Sequence, residues 1–342
     1  MIFFRVDSNS IIAGGHVMRC ISIASVLKKA GENVMFLVAD DNPVPVLCSY
    51  GMKYMVLCSD WQNLMLEKDA VIEILKHEKN PVLIIDTYSV TKQYTDALND
   101  YCKIVYLGSK QEYLGDVQMI INYSTNIDHS FYDNYYTPRT KLLLGPSFAP
   151  LREEFQNATH NYKNKIRRIL ITTGNTDNDN IVGKIIESIL KITEGKNISI
   201  AIIIGRMFRH KESLHSLYDN NPNVELHENV KSMSSLMKES DIAISANGTT
   251  IYELSAMGIP IISFAMVEEQ VESGQALAKL NIIEFCGATS VDLNGCLKKI
   301  IEKFYYYLHH NDELIHLAKR AHKLIDGTGS FKIVEAILEN VK

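Results

Sequence analysis

Paired cysteines are missing from this 342-residue chain. Its six, Cys20, Cys48, Cys58, Cys102, Cys286 and Cys296, are scattered, with no CxxC and no histidine at ligand spacing. That argues against structural zinc and a disulfide framework, and fits reduced thiols in a cytoplasm. Long apolar runs are missing too: the longest, VLIID and ISIAIIIG, have the length of buried strands. A membrane span needs roughly 18 apolar residues or more, so none is expected. The opening MIFFRVDSNS does not read as a signal peptide, because a charge follows Phe4 at once. No basic stripe accompanies the net charge of −5 (35 basic against 40 acidic residues), which argues against nucleic acid as a partner. The short cluster Lys163, Lys165, Arg167 and Arg168 reads as solvated charge at a domain connection. There is no GxGxxG after the first strand, no GxxxxGK[ST] and no HExxH, so dinucleotide, P-loop and zinc-protease readings are poor. No metal and no cofactor are expected.

What is present is ordinary globular composition, 46% apolar and 22% charged, in a length that suggests two domains. The first half alternates strands and helices. MIFFRVD is a short apolar strand, and HVMRCISIASVLKKAG places Val17, Ile21, Ala24 and Leu27 at helical spacing before Gly31. NVMFLVAD, MKYMVL, VLIIDTY, KIVYLG and MIINYS read as further strands, with helices near 62–78 and 92–101. A boundary is expected in 140–155. A second series then runs from RRILITTG through ISIAIIIG, VELHEN, DIAISA and PIISFA, with helices between them and two more at 291–308 and 311–325. Such alternation implies parallel pairing with right-handed crossovers. The expected fold class is therefore α/β, with two Rossmann-like doubly wound domains facing a cleft. One spans residues 1–150 and the other 151–342, the last helix possibly crossing back. His309 and His310 read as surface residues, and the run Phe304 to Tyr307 as helix packing.

In doubly wound sheets, ligands sit beyond the carboxyl ends of the strands, so four loops carry the functional reading. In RVDSNSIIAGGHVMRC, Gly14 and Gly15 allow close backbone approach, and His16 at the mouth of a helix is a natural general base. The same residues also describe a plain turn with a helix-capping histidine, and spacing does not separate the two. In LIIDTYSV, Asp86 ends a strand, with Tyr88 behind it; a turn or capping role is equally open. In ITTGNTDNDN, Thr173, Gly174 and Asn175 precede a helix and suit phosphate oxygens, or else form a turn capped by Asp177 or Asn178. The fourth loop, in SANGTTIYELSAMGIP, says most. Gly248, Thr249 and Thr250 open a helix as an anion site, and Glu253, four residues after Thr249, suits a ribose diol. A nucleotide diphosphate is favoured there over a capped helix with a surface glutamate.

Together these loops, with IIDTY, LLLGPSFAPLREEF and Gln270, resemble the family of the pseudaminic acid pathway hydrolase of UDP-2,4-diacetamido-2,4,6-trideoxy-β-L-altropyranose. Related proteins carry the label spore coat polysaccharide biosynthesis. The fourth loop alone is shared with many GT-B glycosyltransferases. A cytoplasmic monomer or weak dimer is expected, and the resemblance implies a GT-B fold and metal-independent, inverting hydrolysis of a UDP-sugar. It assigns His16 as the base that activates water, and places Arg5, Asp7, Gly15 and Tyr88 near the sugar. Gly174, Gly248, Thr249, Thr250 and Gln270 fall on the diphosphate side, Glu253 at the ribose, and backbone near Val230 at the uracil. The sequence departs from the pattern at Gly108 and Ser109, where an acidic pair is usual, and at Asn175, where a glycine is. Glycosyl transfer to an acceptor, and a non-catalytic nucleotide-sugar binder, stay open beside hydrolysis.

Overall fold

Strands buried on both faces are largely apolar, and Ile2–Val6, Val82–Asp86 and Met119–Asn122 meet that demand apart from Arg5 and the strand-end Asp86 and Asn122. The computed structural model describes residues 1–9, 12, 14–156, 158, 162 and 165–341. Lys163 lies outside them. The chain divides into two compact units, one of residues 1–153 with 328–342, the other of residues 154–327.

The first unit opens with β1 (Ile2–Val6), α1 (Gly15–Lys29), β2 (Val34–Val38), α2 (Val44–Ser49) and β3 (Tyr54–Val56). It continues with α3 (Lys68–Lys76), β4 (Val82–Asp86), α4 (Lys92–Leu98) and β5 (Lys103–Leu107). β6 (Met119–Asn122), α5 (His129–Tyr135) and β7 (Lys141–Leu144) complete it. The sheet is parallel throughout, in the order β3-β2-β1-β4-β5-β6-β7. Along β1 the side chains alternate between two cores. Ile2, Phe4 and Val6 join Val17, Ile21 and Ala24 of α1, while Phe3 joins Val71 and Leu75 of α3 and Tyr94 of α4.

The second unit repeats the plan with β8 (Arg168–Thr172), α6 (Ile181–Thr193), β9 (Ser199–Ile204), α7 (Lys211–Tyr218) and β10 (Val224–Glu228). Then come α8 (Met233–Glu239), β11 (Ile242–Ala246), α9 (Thr250–Ala256), β12 (Ile261–Ala265), α10 (Glu269–Lys279) and β13 (Glu284–Ala288). α11 (Leu293–Tyr307) and α12 (Asn311–Leu324) close it. Its parallel order is β10-β9-β8-β11-β12-β13. Both sheets are thus doubly wound and Rossmann-like, and both reverse winding direction between their first and fourth strands. Phe304 and Tyr307 pack into this unit's core, and His309 and His310 are exposed.

Two features differ from the sequence reading, and a third, the crossing back of the last helix, was left open there. β7 and β13 were not expected: KLLL lies inside the segment read as a boundary, and EFCGA is a half-buried edge strand carrying a glutamate and a glycine. The last helix, α13 (Gly329–Asn340), belongs to the first unit, where Ile333, Val334 and Ile337 enter the α1 core. Gly329 permits that return, since a Cβ there would lie 2.1 Å from the Ala149 carbonyl oxygen. Arg168 is not solvated linker charge: it opens β8 and forms a bidentate pair with Glu225 at 2.7 and 2.6 Å. Among the described residues, no helix is long and apolar enough to cross a membrane.

Candidate functional site

The four loops singled out from sequence follow β1, β4, β8 and β11, the strands that flank the reversal point of each sheet. A crevice forms there because the flanking connections leave on opposite faces, and ligands of doubly wound sheets sit in it.

In the first unit, the Val6–Asp86 register puts the ends of β1 and β4 side by side. Asp86 is buried, and both its oxygens are occupied. Oδ1 lies 2.5 Å from His16 Nδ1 and also accepts from Arg19 Nη2. Oδ2 accepts from Arg19 Nε at 2.6 Å and from the Cys20 thiol at 3.3 Å. Burial pushes the Asp86 carboxyl upward, but the Arg19 guanidinium and His16 outweigh it and hold the net below the usual aspartate range. With Nδ1–H donated to Asp86, the lone pair of His16 sits on Nε2, which has no hydrogen-bond partner among the described residues. The His16 ring is nearly buried and meets the exposed Tyr88 ring edge-on, at 5.0 Å between centroids. Lys110 fixes the loop behind Tyr88 by donating to the carbonyls of Tyr88 and Val90 at 3.3 and 2.9 Å. His16 and Arg19 lie three residues apart on α1 and so share a face. That spacing was the signal that could have identified Arg19, which the sequence reading passed over.

Two expected sugar contacts need correction. Arg5 has no exposed surface, because β1 turns it towards the α3–α4 face. There its Nε and Nη2 donate to Glu67 at 2.5 and 2.9 Å, and its Nη1 to Asp7 at 2.5 Å. Glu67 also accepts from Ser59 at 2.6 Å and Tyr94 at 3.1 Å, and Asp7 from the Ala39 N–H at 2.7 Å. Burial pushes the Asp7 carboxyl up despite Arg5. Arg5 and Asp7 therefore brace the β1 and β2 ends from inside and offer little or nothing to a ligand.

Gly14 has φ −93 and ψ 0, a conformation open to any residue. A Cβ at Gly14, Gly15 or Gly248 would meet nothing within 4 Å. These three leave open space and do not serve the packing of the chain. Gly174 is the reverse case, held at φ +82, where a side chain is strained. Alanine at Gly174 should lower stability by about 1–2 kcal/mol in chemical denaturation, whereas alanine at Gly15 or Gly248 should leave it within about 0.5 kcal/mol.

In the second unit, Asp177 closes the N-terminus of α6 by accepting from the N–H groups of Ile181 and Val182 at 2.7 and 2.9 Å. The capping alternative describes this loop, and those amides are unavailable to phosphate. Gly174 and Asn175 instead pack against Gly205, whose Cβ would lie 2.3 and 2.5 Å from their carbonyl oxygens. Gly205 had not been singled out. The loop after β11 is more open. The Thr249 side chain makes no capping bond, and Thr249 is exposed and Thr250 half-buried. Neither backbone N–H of these threonines has an acceptor among the described residues. Glu253 stands one turn further along α9, half-buried. Gln270 is committed to the loop itself: its side-chain carbonyl accepts the Met266 N–H at 2.8 Å, and its backbone carbonyl accepts the buried Asn247 amide at 2.8 Å. Val230 follows β10 after Asn229, which takes the left-handed conformation at φ 47.

Residues 168–322 match the model of the glycosyltransferase family 28 C-terminal domain. An uncharacterized protein of Methanocaldococcus jannaschii is 25% identical over 97% of this chain, and the match spans 64% of that relative's length. The UDP-2,4-diacetamido-2,4,6-trideoxy-β-L-altropyranose hydrolase of Campylobacter jejuni is 25% identical over 81% of this chain and 96% of its own. The crystal structure of MurG from Acinetobacter baumannii superposes with a TM-score of 0.67 at 13% identity, covering 99% of each chain. That likeness fixes the fold class: GT-B, two Rossmann-like domains.

Proposed function

We propose that this chain hydrolyses a UDP-linked 2,4-diacetamido-2,4,6-trideoxy hexose to UDP and the free sugar, with inversion at the anomeric carbon and without a metal. The reading places it in the cytoplasm, in nonulosonic acid or surface polysaccharide synthesis. The observation that carries it is the dyad of His16 and Asp86, a ring anchored at Nδ1 with Nε2 left as acceptor. A base held in that way can take a proton from water as the oxygen attacks C1. The C1–O bond to the diphosphate breaks, UDP leaves with the electron pair, and the proton stays on Nε2. Tyr88, whose ring lies against His16, and Gly15, which leaves room beside it, belong on the sugar side. Gly248, Thr249 and Thr250 supply N–H and hydroxyl donors to the diphosphate, with Gly174 and Gln270 shaping neighbouring loops. Glu253 takes the ribose and backbone at Val230 the uracil. Charge developing on the leaving group then meets fixed dipoles, which need no reorganisation at the moment of reaction. The hydrolase name of the Campylobacter relative supports the reaction, and the family 28 domain match supports the nucleotide side.

Transfer to an acceptor is the second reading, favoured by that same domain match. Incubating the protein with a panel of UDP-sugars, without acceptor or metal, separates the two. Hydrolysis predicts UDP release and a free sugar of inverted anomeric configuration by NMR from a 2,4-diacetamido substrate. No turnover of any such sugar would sink the proposal, and turnover that starts only when an acceptor is added would favour transfer.

A further inference from the structure

Asp86 is shared between two partners, and the second one has a consequence for the first. A lone aspartate beside a histidine favours the doubly protonated ring, which is no base. Here the carboxylate is already neutralised by the side-on Arg19 pair, through Nε at 2.6 Å and Nη2. Arg19 is itself fixed, with Nη1 donating to the Tyr123 hydroxyl at 2.8 Å and Cζ 5.5 Å over that ring. Its Nη2 also stands 3.0 Å from His16 Nδ1. An N–H cannot donate to a nitrogen that already carries a proton, so this approach sets a positive charge against the ring. The Arg19 charge therefore opposes a second proton on His16, while Asp86 still fixes the tautomer.

We infer that Arg19 is a positioning residue that keeps His16 singly protonated at Nδ1, so that Nε2 is available as a base at neutral pH. The inference rests on the reading of His16 as the base. The charged and titratable groups around the dyad are few. Arg19 and Cys20 face it from α1, Tyr88 from the loop after β4, Tyr123 from the end of β6, and Tyr106 reaches Asp86 from β5. Burial raises Cys20, Tyr106 and Tyr123, so all three stay neutral near pH 7; among the described residues Arg19 is the cation beside the His16 ring, and Lys110 stands behind the Tyr88 loop.

The test is the nitrogen-15 NMR signature of the His16 ring at pH 7, assigned by its loss in His16→Gln. Wild type is expected to show the neutral Nδ1–H tautomer. In Arg19→Met the ratio of neutral to doubly protonated ring should fall by roughly 10- to 1,000-fold, the effect of one adjacent charge, and kcat/KM should fall and recover at higher pH. Arg19→Lys keeps the charge and should keep the neutral ring spectrum, although losing the side-on geometry lowers kcat. If Arg19→Met does not fold, Arg19→Gln, which keeps a donor to Asp86 but no charge, carries the same expectation. An unchanged ring spectrum in the neutral variants would overturn the inference. So would an Arg19→Lys protein whose ring spectrum follows Arg19→Met, since the role would then be shape and not charge. The ring spectrum needs no substrate, so failure of the UDP-sugar panel would end the hydrolase proposal while leaving this measurement decisive.

Discussion

His16→Gln is expected to fold as the wild type does and to release UDP about 10²- to 10⁴-fold more slowly, the usual contribution of a positioned general base. The fold should survive because removing the imidazole does not orphan the carboxylate behind it. Asp86 keeps its two bonds from Arg19 and one from Cys20. The ring itself sits at the edge of the first-unit core, with its side chain 10% exposed. Activity should not survive, because glutamine offers nothing that can hold a proton at the Nε2 position. Initial rates of UDP release, set beside thermal unfolding of the same preparation, separate the two effects. A folded His16→Gln enzyme with wild-type turnover would take the base assignment away from this residue.

Glu67→Ala should have the largest effect on stability. Arg5 and Glu67 both lack exposed side-chain surface, and two of the three Arg5 nitrogens donate to that one carboxylate. Deleting one member of such a pair leaves a buried charge with too few partners, which typically costs about 3–5 kcal/mol. Asp7 remains beside Nη1, so the loss should fall within that range and not beyond it. The hydroxyls of Ser59 and Tyr94 also lose their acceptor, and both come from other segments of the first unit. The defect should stay local. Urea unfolding followed by hydrogen exchange should show the first unit opening early and the β8–β13 unit at its wild-type midpoint. Lys92→Ala, which breaks the exposed Lys92–Asp96 pair, is the control and should change stability by no more than about 0.5 kcal/mol. A Glu67→Ala protein within about 1 kcal/mol of wild type would show that Asp7 and Tyr94 alone suffice for Arg5.

The doubly wound alternation was readable because both sheets are parallel and their central strands are buried on both faces, so that strands such as β4 and β9 are nearly continuous apolar runs. The loops were readable for a related reason: in such sheets ligand contacts concentrate after particular strands, and those strands could be counted. β13 was not readable, since an edge strand with a glutamate and a glycine does not announce itself by composition. The return of α13 to the first unit could only be left open, because it depends on an apolar stripe matched to α1 more than 300 residues earlier. Arg5 shows the limit most clearly. The family resemblance placed Arg5 near the sugar, whereas its partner Glu67 is 62 residues away, and no local pattern joins them. Arg19 and Asp86, 67 residues apart, are the same case. Local spacing puts His16 and Arg19 on one face; only the sheet register delivers Asp86 to them.

The end of β5 constrains how this chain could change. A Cβ on residue 108 would lie 2.4 Å from the Tyr106 hydroxyl and 2.7 Å from the ring carbon that bears it. Tyr106 is buried, and its oxygen accepts the Lys110 N–H at 3.2 Å, so the ring is not free to swing aside. An acidic side chain at Gly108 would therefore have to displace the Tyr106 ring. The two positions are coupled: a smaller residue at position 106 should lower the cost of Gly108→Asp, and that cost is greatest while Tyr106 is in place.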